Sequence, residues 1–243
     1  MIELILLGLI TGLLSGFFGI GGGTILVPLL LLIGFETKIA IGISVVQMMF
    51  SSFYGSYLNH KKRTLDVAMI TIIGMGGFLG AFLSGIITSN LSDKNLELIF
   101  LGFAIFALVR LFLKPKEHKE QKEVHWLLLF LLGIFLGAIG MAIGVGGSMI
   151  LVPILVGFVH VPLKKAVSAG LFFVVFSSIA GFFSHILAGH VDLQSGIIIG
   201  FASLFGVYVG IHLKDKVDVH LQRKLIVIFY VIVVAYLTKR IFF

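Results

Sequence analysis

The sequence predicts an all-α polytopic membrane protein made of two inverted repeats, each of about five membrane elements, with broken or re-entrant helical hairpins. Three observations carry this expectation: an apolar composition, a glycine cluster that occurs twice, and a one-sided distribution of basic residues. Hydrophobic residues make up 59% of the 243 and charged ones only 12%, with a mean hydropathy of +1.17, so most of the chain's solvent is lipid. With no cysteine there is no disulfide framework and no thiolate metal site. The net charge of +7 sits in short loops beside apolar stretches, which argues for membrane topology and against nucleic acid as a partner. No basic region precedes Leu4, so the N-terminal stretch reads as part of the bundle and not as a cleaved signal.

Stretches free of Asp, Glu, Lys and Arg run over Ile39–His60, Val67–Ser92, Ala166–Val191 and Leu193–Leu213, each near the length of roughly 20 apolar residues that a spanning helix needs. Leu96–Leu113 and Leu225–Phe243 read as spans too, their charges lying near the ends where long side chains can snorkel. Leu4–Phe35 and Val124–Leu163 are different: each is too long for one span and too short for two. Each contains a glycine cluster, Gly19-Ile20-Gly21-Gly22-Gly23-Thr24-Ile25-Leu26-Val27-Pro28 and Gly144-Val145-Gly146-Gly147-Ser148-Met149-Ile150-Leu151-Val152-Pro153. Consecutive glycines are costly inside a helix, so each cluster reads as a break, and duplicated breaks are the best sequence pointer to the binding site of a transporter. The arms on either side reach about 15–20 Å at 1.5 Å per residue, little more than half a bilayer.

The halves keep register beyond the glycines at an offset near 126: Ser51-Ser52 with Ser177-Ser178, Gly55 with Gly181, Asp66 with Asp192, Gly74 with Gly200 and Gly80 with Gly206. The chain therefore divides into an N-terminal repeat, 1–113, a polar linker, 114–124, and a C-terminal repeat, 125–243. Charge chooses between topologies. If each glycine segment crosses once, giving eight simple spans, the basic residues split almost evenly. If each is a hairpin, fourteen of the eighteen Lys and Arg collect on one face and Lys38, Lys94, Lys239 and Arg240 on the other, as the positive-inside rule expects. Hairpins give each half five elements, an odd number, so the second half is inverted, both termini face outward, and the linker is cytoplasmic. A plasma membrane of a bacterium or archaeon is the expected location.

The paired glycine motifs ending in Ile-Leu-Val-Pro, the loops before Asp66 and Asp192, and the glycine-rich helices after them resemble the TauE/SafE sulfite exporter family of membrane permeases. The resemblance covers essentially the whole chain. It implies transport of sulfite or an organosulfur anion.

A helix start offers unpaired N–H groups and a partial positive charge, so each glycine tip is a ready anion site. The candidate substrate donors are Gly21, Gly22, Gly23 and Thr24 on one tip and Gly146, Gly147, Ser148 and Met149 on the other. In the helices that follow, Ser44, Gln47, Ser51 and Ser52, with Ser168, Ser177 and Ser178, are polar positions in apolar runs. Gln47 stands out because a buried amide is expensive without partners and can hold an anion without a cation. The serines alternatively bond between helices, and the pairs Gly12/Gly16, Gly133/Gly137 and Gly206/Gly210 read as close-packing positions. His60 and His185 are gate or coupling candidates, whereas His118, His125, His190, His212 and His220 read as exposed, and Asp66 and Asp192 as helix N-caps.

No carboxylate lies deep in a span, no acid or histidine cluster has metal-ligand spacing, and no nucleophile meets a base. The expected function is thus non-enzymatic and needs no cofactor: alternating-access permeation of a small anion around a midplane site, with a passive anion channel as the alternative. The expected partners are the anion and the lipid bilayer, with a second copy of the chain as a further candidate.

Overall fold

The computed structural model describes residues 1–62, 67–112, 122 and 124–242. Asp66, Arg63 and nearly all of the 114–124 linker therefore lie outside the described residues. Helix is the one regular secondary structure among the described residues: α1 (Ile2–Phe18), α2 (Gly23–Leu32), α3 (Thr37–Lys61), α4 (Val67–Ala81), α5 (Ser84–Asn90), α6 (Asp93–Phe112), α7 (Trp126–Ala142), α8 (Ser148–Gly157), α9 (Leu163–Leu187), α10 (Leu193–Lys216) and α11 (Val219–Phe242). Four of them, α3, α9, α10 and α11, are each long and apolar enough to cross a membrane, and α4 with α5 makes a fifth candidate bent by 43° between Met69–Ala81 and Ser84–Asn90. The chain is a multi-pass helical membrane protein.

The two segments that fit neither one span nor two are broken helices. α1 and α2 are 17 and 10 residues long, and so are α7 and α8. Only 19–22 and 143–147 separate the arms, and these residues are buried. Chain directions follow from the contacts. Gly8, Gly12 and Gly16 of α1 face Ile199, Ser203 and Val207 in ascending order, and Val46, Phe50 and Asn59 of α3 face Gly196, Gly200 and Lys214, so α1 and α3 both run parallel to α10. α2 runs the other way beside α3, Gly22 meeting Gln47 while Val27 and Ile41 meet together at Gly144. Hence α1 and α2 form a hairpin whose tip lies at the middle of α3. The same logic makes α7 and α8 a hairpin against α9, because Gly74 and Gly85 pair with Phe176 and Ser184, Gly76 and Gly80 with Phe130 and Ile134, and Gly147 and Gly170 with Phe173 and Val152. α3 and α9 themselves are antiparallel, Gly42 lying on the His190 carbonyl and Gly55 on Leu171.

Small residues let these backbones touch. A Cβ on Gly12 would enter the Ser203 carbonyl, one on Gly137 the Gly77 carbonyl, and Gly80 and Gly206 meet Ile134 and Leu9 likewise. In lipid, apolar side chains gain little by meeting one another, so such van der Waals contact is what holds the helices. The helix ends obey local chemistry. Asp192 caps α10, accepting from the Ser195 amide (3.2 Å) and hydroxyl (2.7 Å). His125 caps α7, its Nδ1 accepting from the Leu127 amide at 3.3 Å.

This packing makes a paired expectation. Gly12→Val should lower thermal stability by about 1–3 kcal/mol, the usual cost of overpacking, because the obstacle is backbone. Gly102→Ala on α6, where no atom lies within 4 Å, should be neutral or slightly stabilising. Unfolding of both purified variants in detergent checks the contrast.

Candidate functional site

The two hairpin tips meet in the centre of the bundle, backbone to backbone. A Cβ on Gly23 would lie inside the Gly144 carbonyl, and the Ser44 hydroxyl donates to that same carbonyl at 2.8 Å while also reaching Ile41 O. Gly21 and Gly146 both adopt left-handed backbone, φ +66° and +78°, which only glycine enters freely. Both pack on the Met48 sulfur and on Val174. Each following helix starts at the meeting point, so the amides of Gly23 and Thr24, and of Ser148 and Met149, have no intrahelical acceptor and add the positive ends of two dipoles. The Gly146 amide is spent on Gly140 O at 3.0 Å.

Gln47 reaches this point from α3. It is fully buried, its carboxamide stands against Gly22 where a Cβ would go, and neither its Oε1 nor its Nε2 has a hydrogen-bond partner. The Ser148 hydroxyl is likewise buried without a partner, 3.6 Å from where a Gly21 Cβ would lie. Three buried polar atoms left over in one place is uncommon, since such groups are nearly always paired. Their environment is lopsided. The repeat register puts Phe173 where Gln47 would be, and Phe173 packs on Gly147 just as Gln47 packs on Gly22. One side of the tips is polar and the other aromatic.

Other sequence-selected residues sit elsewhere or are already satisfied. Ser51, Ser52, Ser177 and Ser178 donate to carbonyls one turn back in their own helices, at 3.3–3.4 Å. Thr24 reaches Ile20 O at 3.4 Å, and the Met149 carbonyl accepts from Tyr230 at 3.1 Å. His60 is exposed on the last turn of α3. His185 is fully buried, its Nε2 lies 3.1 Å from Met141 O, and its ring centroid is 5.8 Å from that of His190.

Three residues differ from their sequence reading. His212 is half-buried, because α10 sets it one turn after Tyr208, with its Nδ1 2.7 Å from Tyr208 O and its ring 4.2 Å from that of Tyr208. His190 is not exposed but half-buried, its Nε2 3.4 Å from the Ser89 hydroxyl, because the α9–α10 turn folds its backbone onto Gly42. Burial, with the Lys38 charge second, holds its pKa below the ordinary 6.5. Lys214 is not a loop residue. α10 continues through Lys216, three residues past the uncharged stretch, and its helical turn swings Lys214 fully inside, bonded to Asn59 and Ser168. Among the described residues no group of three or more acids and histidines could hold a metal ion.

The family model described as sulfite exporter TauE/SafE matches residues 4–237. The chain belongs to that family. Similar members include the probable membrane transporter protein YunE of Bacillus subtilis, 26% identical, with 89% of this chain and 89% of that protein aligned. A probable membrane transporter protein of Methanocaldococcus jannaschii is also 26% identical, over 88% of this chain and 86% of its own. A second Bacillus subtilis protein, YdhB, is 27% identical over 85% and 87%. TauE/SafE membership and the helical bundle agree with the resemblance of the glycine motifs.

Two expectations follow. Gly22→Ala meets first the flexible end of Gln47 and should fold while displacing that amide, whereas Gly147→Ala meets the Leu136 carbonyl at φ +71° and should unfold at lower temperature. Thermal unfolding separates them. Because the folded state favours neutral His190, its contribution to stability should be complete above pH 6.5 and fall away as the pH drops below that value toward the lowered one. His190→Gln should flatten the acid side of the unfolding profile.

Proposed function

We propose that this member of the TauE/SafE family is a secondary transporter for a small oxyanion of the sulfite class, working by alternating access around the meeting of the two tips. The observation that carries the proposal is Gln47: a carboxamide with both polar atoms buried and unpartnered, set against the start of α2 and beside the unpartnered Ser148 hydroxyl. Donors around the tips are the amides of Gly23, Thr24, Ser148 and Met149 with Gln47 Nε2 and Ser148 Oγ. They suit an oxyanion, which offers acceptors on every side. Being neutral, they hold charge without the desolvation cost of a buried cation and release it again.

The topological part of the proposal is an inverted repeat with both termini outside. It is supported by the antiparallel run of α3 and α9 and by the end of the bundle at which basic residues gather: Lys62 pairs with Asp215, Lys164 bonds the Asp215 carbonyl at 3.4 Å, and Lys214 lies beside them. By the positive-inside rule that end is cytoplasmic. Inversion lets one site be exposed alternately by rocking the two halves. A reporter fused at Ile2 should read as external in intact cells, and a cytoplasmic reading would remove this orientation.

The function is tested with purified protein in liposomes. Saturable, gradient-driven sulfite flux is the expected outcome; rapid non-saturating conductance would mark a passive channel instead. Gln47→Leu should weaken substrate binding by about 1–3 kcal/mol while leaving the fold as stable or more so, because it removes an unsatisfied buried amide. Normal sulfite binding in that variant would take Gln47 out of the site.

A further inference from the structure

Lys214 is the fully buried cation among the described residues. Its Nζ donates to Asn59 Oδ1 at 2.8 Å and to Ser168 Oγ at 3.2 Å, and no described carboxylate comes within ion-pairing distance. The neighbouring Asp215 turns away to Lys62, and the Lys164 ammonium lies on the Asp215 carbonyl. Neutral acceptors satisfy two of the three N–H groups but do not cancel the charge. A buried ammonium is costly unless an anion compensates it.

Its position is informative. Asn59 and Ser168 belong to α3 and α9, the antiparallel pair that grips both tips through Gln47, Met48, Phe173 and Val174. Along α3, Gln47, Ser51, Gly55 and Asn59 recur every four residues, so they follow one strip of that helix and place Asn59 about 18 Å from Gln47. The repeat register assigns His185 to the Asn59 position and Thr88 to the Lys214 position at the opposite end. There the groups are tied to neutral backbone: His185 Nε2 to Met141 O at 3.1 Å and Thr88 to Ala142 O at 2.8 Å. Among the described residues a buried lysine stands at one end only.

We propose that Lys214, framed by Asn59 and Ser168, is a second anion site: a station at the lysine-rich end where a small oxyanion is paired with an ammonium on its way to or from the neutral donors at the tips. The inference rests on the transport reading and adds to it an asymmetry, a charged station on one side and none on the other. A tether holding α10 to α3 and α9 would use the same bonds, so the test must separate charge from packing.

The full chain in liposomes, with sulfite varied on the lysine-rich side, provides the test. Asn59→Asp places a carboxylate against the ammonium, which keeps or strengthens the bond between α3 and α10 but cancels the charge. The expected result is a KM for sulfite raised at least tenfold with unfolding temperature unchanged or higher; Lys214→Gln should raise KM similarly, and Lys214→Arg should keep it within about threefold of wild type. A wild-type KM in Asn59→Asp, whether or not the maximal rate changes, would overturn the station and leave Lys214 a tether. If Asn59→Asp does not fold, the same KM comparison on Lys214→Gln decides. Wild-type protein that moves no sulfite would overturn the transport reading before any variant is compared, and this inference with it.

Discussion

The structure depends on what happens to backbone polar groups where two helices stop in the middle of a membrane. Unpaired amides and carbonyls there cost several kcal/mol each in hydrocarbon, so the breaks survive only because each is enclosed by protein. Enclosure is achieved by bringing the breaks together. The Gly144 carbonyl lies on Gly23 and takes the Ser44 hydroxyl, and the Gly19 carbonyl lies on Gly170 in the same way. At equivalent places in the register one half uses a serine hydroxyl and the other a glycine contact. Neither hairpin could be buried without the other, which ties the two hairpins into one unit.

The rest of the packing serves that contact. α3 and α9 must cross the tips closely, and they do so with Met48 and Val174 serving both tips at once. α1 and α10 touch along Gly8, Gly12, Gly16, Gly206 and Gly210, as α4 and α7 do along Gly76, Gly80, Gly133 and Gly137, so each hairpin is clamped by a helix of the other half. Backbone-to-backbone contact of this kind slides with little loss of side-chain interlock. Such surfaces fit the rocking motion proposed for transport, whereas interdigitated side chains would hold the bundle in one arrangement.

Much of this was legible in the sequence because it depends on residues with few uses. Glycine clusters in an apolar segment have no cheap helical reading, so the broken arms and their tips follow from Gly19–Gly23 and Gly144–Gly147 directly. Gln47 could be singled out because an amide among apolar residues needs a reason. The serines could not be sorted: Ser44 reaches across to the other tip, while Ser51 and Ser177 bend back one turn, and nothing in spacing distinguishes them. Lys214 was hidden by the convention that a span ends at its first charge. The helix runs on, and 3.6-residue periodicity puts Lys214 inside while Lys216 stays out. His190 was hidden because the folding of a turn onto a distant glycine leaves no local mark.

The contrast between the centre and the lysine-rich end has a physical rationale. A cation at the midplane would bind an anion in a medium of low dielectric, where attraction between opposite charges is strongest and release slowest. Helix-start amides and a carboxamide supply several weaker bonds that can be exchanged as the surroundings change. Nearer the end, water is close, the dielectric is higher, and a full charge attracts an anion from solution without trapping it. Lys214 is fully buried, yet it sits among Lys62, Lys164 and Asp215, which are exposed enough to be hydrated. In the proposed transport cycle, neutral donors inside and a cation near the rim would form a gradient of binding strength opposite to that of a centre built from ions, an order suited to a substrate that both arrives and leaves.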